Sequence, residues 1–541
     1  MALKSATYEL GERKDRDIQQ ERDRTELMRL GKVPVLKRSY GFMSILGFTT
    51  TILVTWEGVL MLVLPGGNQL TLSSGGPGGM IYMYLFAWIG AWCTFASLCE
   101  LASMAPISAG QYFWVSMLAP PSAQRFLSYM TGWMTVLGWQ ALVASTAYIS
   151  GTLIQAVVVL TIPSYEPHNW HGTLIVFAVL CWGMLINTSA RKLLPVLEGP
   201  ILCVHILGFF GVLVPLVVLS SHRASSDVWG AFENAGGWPT EGLSTMIGLL
   251  MSIFLFTGVD GAIHMSEEIK NASVVVPRSI MTSMALNGAL GFAILLAAVY
   301  ALGNIDDVLG SPTGLAGYSF LDILSTGVGS VGGAAAMGAV IIFMQIFGNV
   351  ADMAAASRML WAFSRDKAVP GWSFFVQLDK RTSLPIRCII FSIIVSALLS
   401  LINIGSSTAF NDVVALVTSG YYTSYLMATA LLLYRRLTGS INVRGPNDSP
   451  EEPVNNVGRR LVWGPWRIPG ALGVVINAFS CIYLIVALFW SFWPSELPVT
   501  AENMNYNVLL IGTVVLVAVV YYLIRGRKEY TGPVVEINYS S

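Results

Sequence analysis

Four carboxylates stand out among those in the long apolar runs of this sequence: Glu57 in TTTILVTWEGVLMLVL (49–64), Glu100 in CELASMAP, Asp260 in FLFTGVDGAIHMSEE and Asp352 in QIFGNVADMAAASR. In hydrocarbon a carboxylate costs at least about 2.5–3.5 kcal/mol, so each needs a counter-charge, a proton or a wet cavity. The chemistry open to such groups is cation binding, proton carriage or plain ion pairing. Glu100 and Asp352 fall near the ends of their runs, where a pair with a loop arginine such as Arg358 accounts for them. Glu57 and Asp260 lie deeper, and for these two binding or coupling is the reading adopted.

The elements that hold these residues follow from composition. Of 541 residues, 54% are hydrophobic and only 11% charged, where soluble proteins carry about a quarter. Runs of roughly 20 apolar residues, the length a helix needs to cross a bilayer, recur twelve times: 42–64, 80–104, 127–160, 171–189, 198–220, 243–265, 280–303, 331–361, 388–403, 409–434, 470–492 and 506–525. They lack the two-residue alternation of a membrane barrel. The expected fold class is therefore an all-α polytopic membrane protein. The expected organisation is a tail (1–41), a first five-helix unit (42–220), a second (243–434), a flexible loop (435–469), two further helices (470–525) and a second tail (526–541).

Charge placement orients this arrangement. Threading twelve crossings puts 30 of the 31 Lys and Arg on the side of the termini, with Arg223 alone opposite. Basic residues stay cytoplasmic, so both termini are expected inside. The basic residues are thus topological, and no patch suited to nucleic acid appears. The mixed-charge N-terminal tail reads as solvated. Some 40 polar residues precede the first run, so no cleavable signal peptide is expected and the first helix inserts the chain. The sequons at Asn187, Asn271 and Asn538 fall on the cytoplasmic side, where glycosylation is not expected. Six cysteines form no CxxC pair and five histidines no HExxH, so no metal is expected. No Walker-type or GxSxG motif occurs, so neither an ATP-driven motor nor an enzyme is expected.

The first and sixth runs share a pattern. Each carries its carboxylate about sixteen residues in and next to a glycine, TWEG at 55–58 and TGVDG at 257–261, and the two run in opposite directions. Two five-helix units of opposite orientation, each opening on an interrupted helix, is the pattern of an inverted-repeat transporter. Interrupting a helix frees N–H groups at one end and C=O groups at the other, and these are costly in lipid unless something binds them. A substrate carboxylate suits the first end and an ammonium the second.

Three stretches carry a family resemblance: FTGVDGAIHMSEEIKNASVVVPRSI (256–280), ASLCELASMAPISAGQYFWVSMLAPP (96–121) and ASRMLWAFSRDKAVPGW (356–372). They resemble the amino acid–polyamine–organocation superfamily from about 40 to 525. TWEG, SEEIKNAS and the LAPP turn are most similar to its fungal choline, GABA and amino-acid permeases. The resemblance implies a five-plus-five inverted repeat with two added helices. It also implies proton-coupled import of a small amine-bearing solute, with the proton gradient as energy source and no cofactor. The partners are then that solute and membrane lipid, with oligomeric state left open, and the plasma membrane is favoured over the vacuole.

Carried over by position, the solute would meet Leu53, Val54, Thr55, Trp56, Glu57 and Gly58 on one side and Phe256, Thr257, Gly258, Val259 and Asp260 on the other. The sequence departs from the family twice: LVT replaces a glycine-rich break in the first run, and Val259 replaces an aromatic lid for which Phe254 or Phe256 could substitute. Glu57, with Trp56 beside it, suits a cationic amine or the proton. Gln345, Asn349 and Tyr421 are further candidates for coupling or gating, and Gln140 and Tyr422 are polar groups of the same kind. Glu267, Glu268, Lys270 and Arg278 are expected to serve the loop fold or an inner gate. A non-transporting nutrient sensor and a passive channel are the alternatives on the same fold.

Overall fold

The computed structural model describes residues 18–63, 75–190, 193–405, 407–445, 449, 452–501 and 503–537. The start of the N-terminal tail, Leu64 at the end of the first run, and the Asn538 sequon lie outside the described residues. Helices dominate: α1 (Phe42–Leu53, resuming at Thr55–Gly58), α2 (Gly76–Met104), α3 (Gln124–Thr161), α4 (Asn169–Thr188), α5 (Leu194–Leu219) and α6 (Glu241–Phe254, resuming at Gly261–His264). They are followed by α7 (Ala272–Ala301), α8 (Val331–Arg365), α9 (Ile386–Ser400), α10 (Ser407–Leu437), α11 (Gly470–Trp490) and α12 (Asn507–Tyr521).

Among the described residues nine helices are long and apolar enough to cross a bilayer, and Glu241–Phe254 and Ile386–Ser400 are shorter apolar helices. The α10 helix is 31 residues long but more polar. The protein is thus an all-α polytopic membrane protein. Its exterior shows why: α5 exposes Val196, Leu207, Phe210, Val214 and Val218, which only lipid would solvate. Inside, small residues let backbones approach; a side chain at Gly420 of α10 would meet the Gly138 backbone of α3 at 2.9 Å.

The α7 helix begins eight residues before its apolar run, because Ala272–Ser279 is already helical. Both tails close on one face. A helix spanning 18–29 buries Leu27, and Leu30 just beyond it is buried too, so this part of the tail docks instead of remaining solvated. Two leucines three residues apart share one helix side, which the dense charge concealed. Lys32 then reaches Asp366 at 2.7 Å, while Val534 N–H donates to the same carboxylate at 2.9 Å. The described parts of the 439–460 loop are tied down as well. Ile441–Asn442 pairs in parallel with Leu461–Val462, and the Asn455 amide donates to the carbonyls of Met104 and Val462.

Candidate functional site

The first helix breaks where no glycine stands. Val54 takes a left-handed conformation (φ 40°, ψ 43°) between the two parts of α1, a region β-branched residues avoid and one costing about 1–3 kcal/mol. Packing holds it there. The bare surface of Gly348 in α8 admits the break, since a Cβ would lie 2.9 Å from Val54 Cγ2 and 3.1 Å from the Thr51 carbonyl. Beyond Val54 the helix restarts, and the amides of Thr55, Trp56 and Glu57 have no preceding turn to accept them.

The sixth helix breaks over Leu255–Asp260, with Gly258 at φ +87°. Phe254 C=O is taken up locally by the Thr257 hydroxyl at 2.7 Å. The Thr55 hydroxyl donates to Leu255 C=O at 3.4 Å, joining the two interruptions. A Cβ on Gly258 would meet Leu142 at 2.9 Å and Ile52 at 3.1 Å. We therefore expect Gly258→Ala to lower the melting temperature of the purified protein more than Gly329→Ala. Both pay the left-handed backbone, about 1–2 kcal/mol, but Gly329 (φ +67°) has open space around it. Equal shifts would count against the crowding argument.

Between the interruptions lies a cavity of about 30 Å³, room for roughly one water. Leu53, Val54 and Gly58 of α1 line it, as do Phe254, Leu255 and Thr257 of α6, Thr146 of α3, and Gln345 and Asp352 of α8. Asp352 is the carboxylate that faces this space. Its Oδ2 accepts from the Thr146 hydroxyl at 3.0 Å, while its Oδ1 is buried with no hydrogen-bond partner among the described residues. Asn349 braces the same threonine at 2.9 Å.

The remaining candidates lie around the cavity without lining it. Phe256 packs on Tyr84 with centroids 5.3 Å apart, and Val259 is buried. Asp260 is fully engaged: Tyr425 OH donates to Oδ1 at 2.7 Å and the Gln111 amide to Oδ2 at 2.8 Å. Tyr421 stacks on Tyr425 at 5.6 Å. Trp56 and Glu57 point to α5, where His205 Nδ1 lies 2.8 Å from Glu57 Oε1 and 3.2 Å from Trp56 Nε1. Phe254, not Phe256, supplies the aromatic at the cavity.

The expected arginine pairing holds for Glu100 and fails for Asp352. Arg358 bonds Glu268 at 2.9 Å, and Glu100 bonds Arg436, Asn477 and the Ile468 amide. Residues 352 and 358 are six apart, about 240° around a helix of 3.6 residues per turn, so Asp352 faces inward while Arg358 joins the loop. Glu267 and Arg365 pair nearby at 3.0 Å. Two groups escaped sequence reasoning, Glu198 and His205. Their spacing of seven places them on one face of α5, and that polar face in an otherwise apolar helix was the available signal.

Two interrupted helices crossing beside a mostly apolar cavity that holds one carboxylate define a membrane transporter. Comparison with known proteins agrees. The model of the amino acid permease family matches residues 41–516, and the chain belongs to that family. It is 27% identical to a choline transporter of Saccharomyces cerevisiae over 498 residues, covering 92% of this chain and 83% of that one. It is 28% identical to amino-acid permease 2 of Neurospora crassa (93% and 88% covered). It is 27% identical to an amino-acid permease of Arabidopsis thaliana (94% and 96%).

Proposed function

We propose that the protein is a proton-coupled importer of a small amine-bearing solute, an amino acid or a cationic amine such as GABA or choline. In this reading both termini are cytoplasmic and the solute crosses by alternating access. The observation that carries it is the free Asp352 oxygen, buried in the cavity between the two interruptions. An unpaired buried carboxylate is costly, and an ammonium entering the cavity would offset that cost. Helix-end carbonyls on either side add partial negative charge. The names of the relatives, a choline transporter and amino-acid permeases, fit this chemistry.

The cavity is too small for such a solute as it stands, so binding must move the second part of α1 or the first part of α6. Val54 and Gly258 are the joints available for that motion. The test is uptake of labelled GABA, choline and amino acids by purified protein in proteoliposomes. Accumulation above the outside concentration is expected under an inward proton gradient, with equilibration only when the gradient is collapsed. Equilibration under both conditions would identify a channel, and no movement of any of these solutes would leave the carrier reading without support.

A further inference from the structure

Outside the cavity, the contact between α1 and α5 holds a buried carboxylate–histidine pair. Glu57 and His205 are both fully buried, and each keeps one polar atom, Glu57 Oε2 and His205 Nε2, without a hydrogen-bond partner among the described residues. We propose that this pair is the proton site of the carrier, separate from the solute site at Asp352. The inference rests on the carrier reading above.

The argument begins at His205 Nδ1. That nitrogen has a single lone pair or a single hydrogen. Two groups meet it: Trp56 Nε1–H, a donor only, points at it from 3.2 Å, and Glu57 Oε1 lies 2.8 Å away. The short Glu57–His205 contact needs one hydrogen on that line, held by the carboxyl group or by the ring. Removing that hydrogen sets a carboxylate against a nitrogen lone pair at hydrogen-bond distance in a dry interior, and the contact is lost or the ring must turn.

Surrounding elements leave this pair to itself. On α7 no titratable side chain occurs between Arg278 and Tyr300, and on α8 Asp352 faces the cavity. On α5 the other such groups are Glu198, two turns away and 3.5 Å from the Thr51 hydroxyl, and the exposed Cys203. Asp322, on the short helix Phe320–Val328 that packs against α5, lies at its first turn.

The consequence is a coupling device. Glu57 stands on the part of α1 that begins at the Val54 joint, and the next residue of that part, Gly58, lines the cavity. A proton on one side and a solute on the other both hold the same four-residue segment, Thr55–Gly58. With both present, the segment is held by the proton toward α5 and by the solute toward the cavity, which is the condition for moving the two ligands as a unit.

The experiment uses full-length protein in proteoliposomes with the solute that the wild type accumulates. Glu57→Gln keeps a donor toward His205 Nδ1 but cannot release a proton. It is expected to lose gradient-driven accumulation and the accompanying acidification of the lumen, while exchange of labelled for unlabelled solute falls far less and becomes independent of pH. His205→Gln is expected to lose the same gradient response and covers the case in which Glu57→Gln fails to reach the membrane. Wild-type levels of accumulation in either variant would overturn the assignment. So would wild-type exchange that does not change with pH. A wild type that accumulates nothing overturns the carrier reading instead, so the two failures are distinguishable.

Discussion

Replacing Asp352 by asparagine should weaken uptake of a cationic solute by about 10- to 150-fold in apparent affinity. The estimate converts a charge-assisted hydrogen bond of about 1.5–3 kcal/mol at about 1.4 kcal/mol per tenfold. Asparagine keeps the size of the side chain and can still accept from Thr146 at the position of Oδ2, so the loss isolates the charge on the free oxygen. Protein yield and melting temperature should change little, because the oxygen that matters makes no hydrogen bond among the described residues. The comparison variant is Asp260→Asn, whose carboxylate ties α6 to Tyr425 and Gln111; there stability should suffer as well as transport. Concentration dependence of uptake, measured with surface expression, checks both. An Asp352→Asn variant with wild-type KM would remove the carboxylate from the solute site.

The second large effect is expected at the face that carries the termini. Lys32 and Asp366 form a pair whose side chains are 1% and 0% exposed, and Tyr112 OH adds a 2.7 Å bond to the other carboxylate oxygen. Burial pushes the Lys32 ammonium below its ordinary pKa despite the opposing pull of Asp366. In such pairs the rupture matters more than the formation, since the abandoned charge stays buried; removing one partner costs about 3–5 kcal/mol. Lys32→Met should therefore lower the melting temperature of the purified protein by several degrees and expose the nearby loops to protease. Adding Asp366→Asn should recover part of the loss, because the two changes act on one interaction. A Lys32→Met protein that melts like the wild type would show that Tyr112 and Val534 suffice to hold Asp366.

Much of the architecture was legible because lipid imposes a strong rule: an apolar run of bilayer length must be helical. The interruption in α6 was legible from Gly258, which φ +87° requires. The interruption in α1 was legible only through its inverted partner and the family resemblance, because nothing in LVT marks Val54 as left-handed; the permissive residue is Gly348, almost 300 positions away. Side-chain direction was the least legible part. Glu57 and Asp352 both sit beside the breaks, yet one faces α5 and the other the cavity. That division follows from helix rotation and from what α5 and α3 present, and one chain read in order does not reveal it. His205 went unnoticed for a related reason, since a lone histidine in LCVHILGFF has no neighbour in sequence to give it meaning.

The Lys32–Asp366 pair also has a consequence for how the chain is made. Its members are 334 residues apart, and Val534 and Glu536, which complete the cluster, are later still. During synthesis Lys32 emerges before the first helix of the bundle, yet its partner appears only after the eighth helix and the cluster closes only after the twelfth. Until then the lysine must remain hydrated, and the interrupted helices have no closed face beneath them. Assembly of the bundle therefore ends where it began, at the N-terminal tail, and chains stopped after the last helix would be inserted but unsealed.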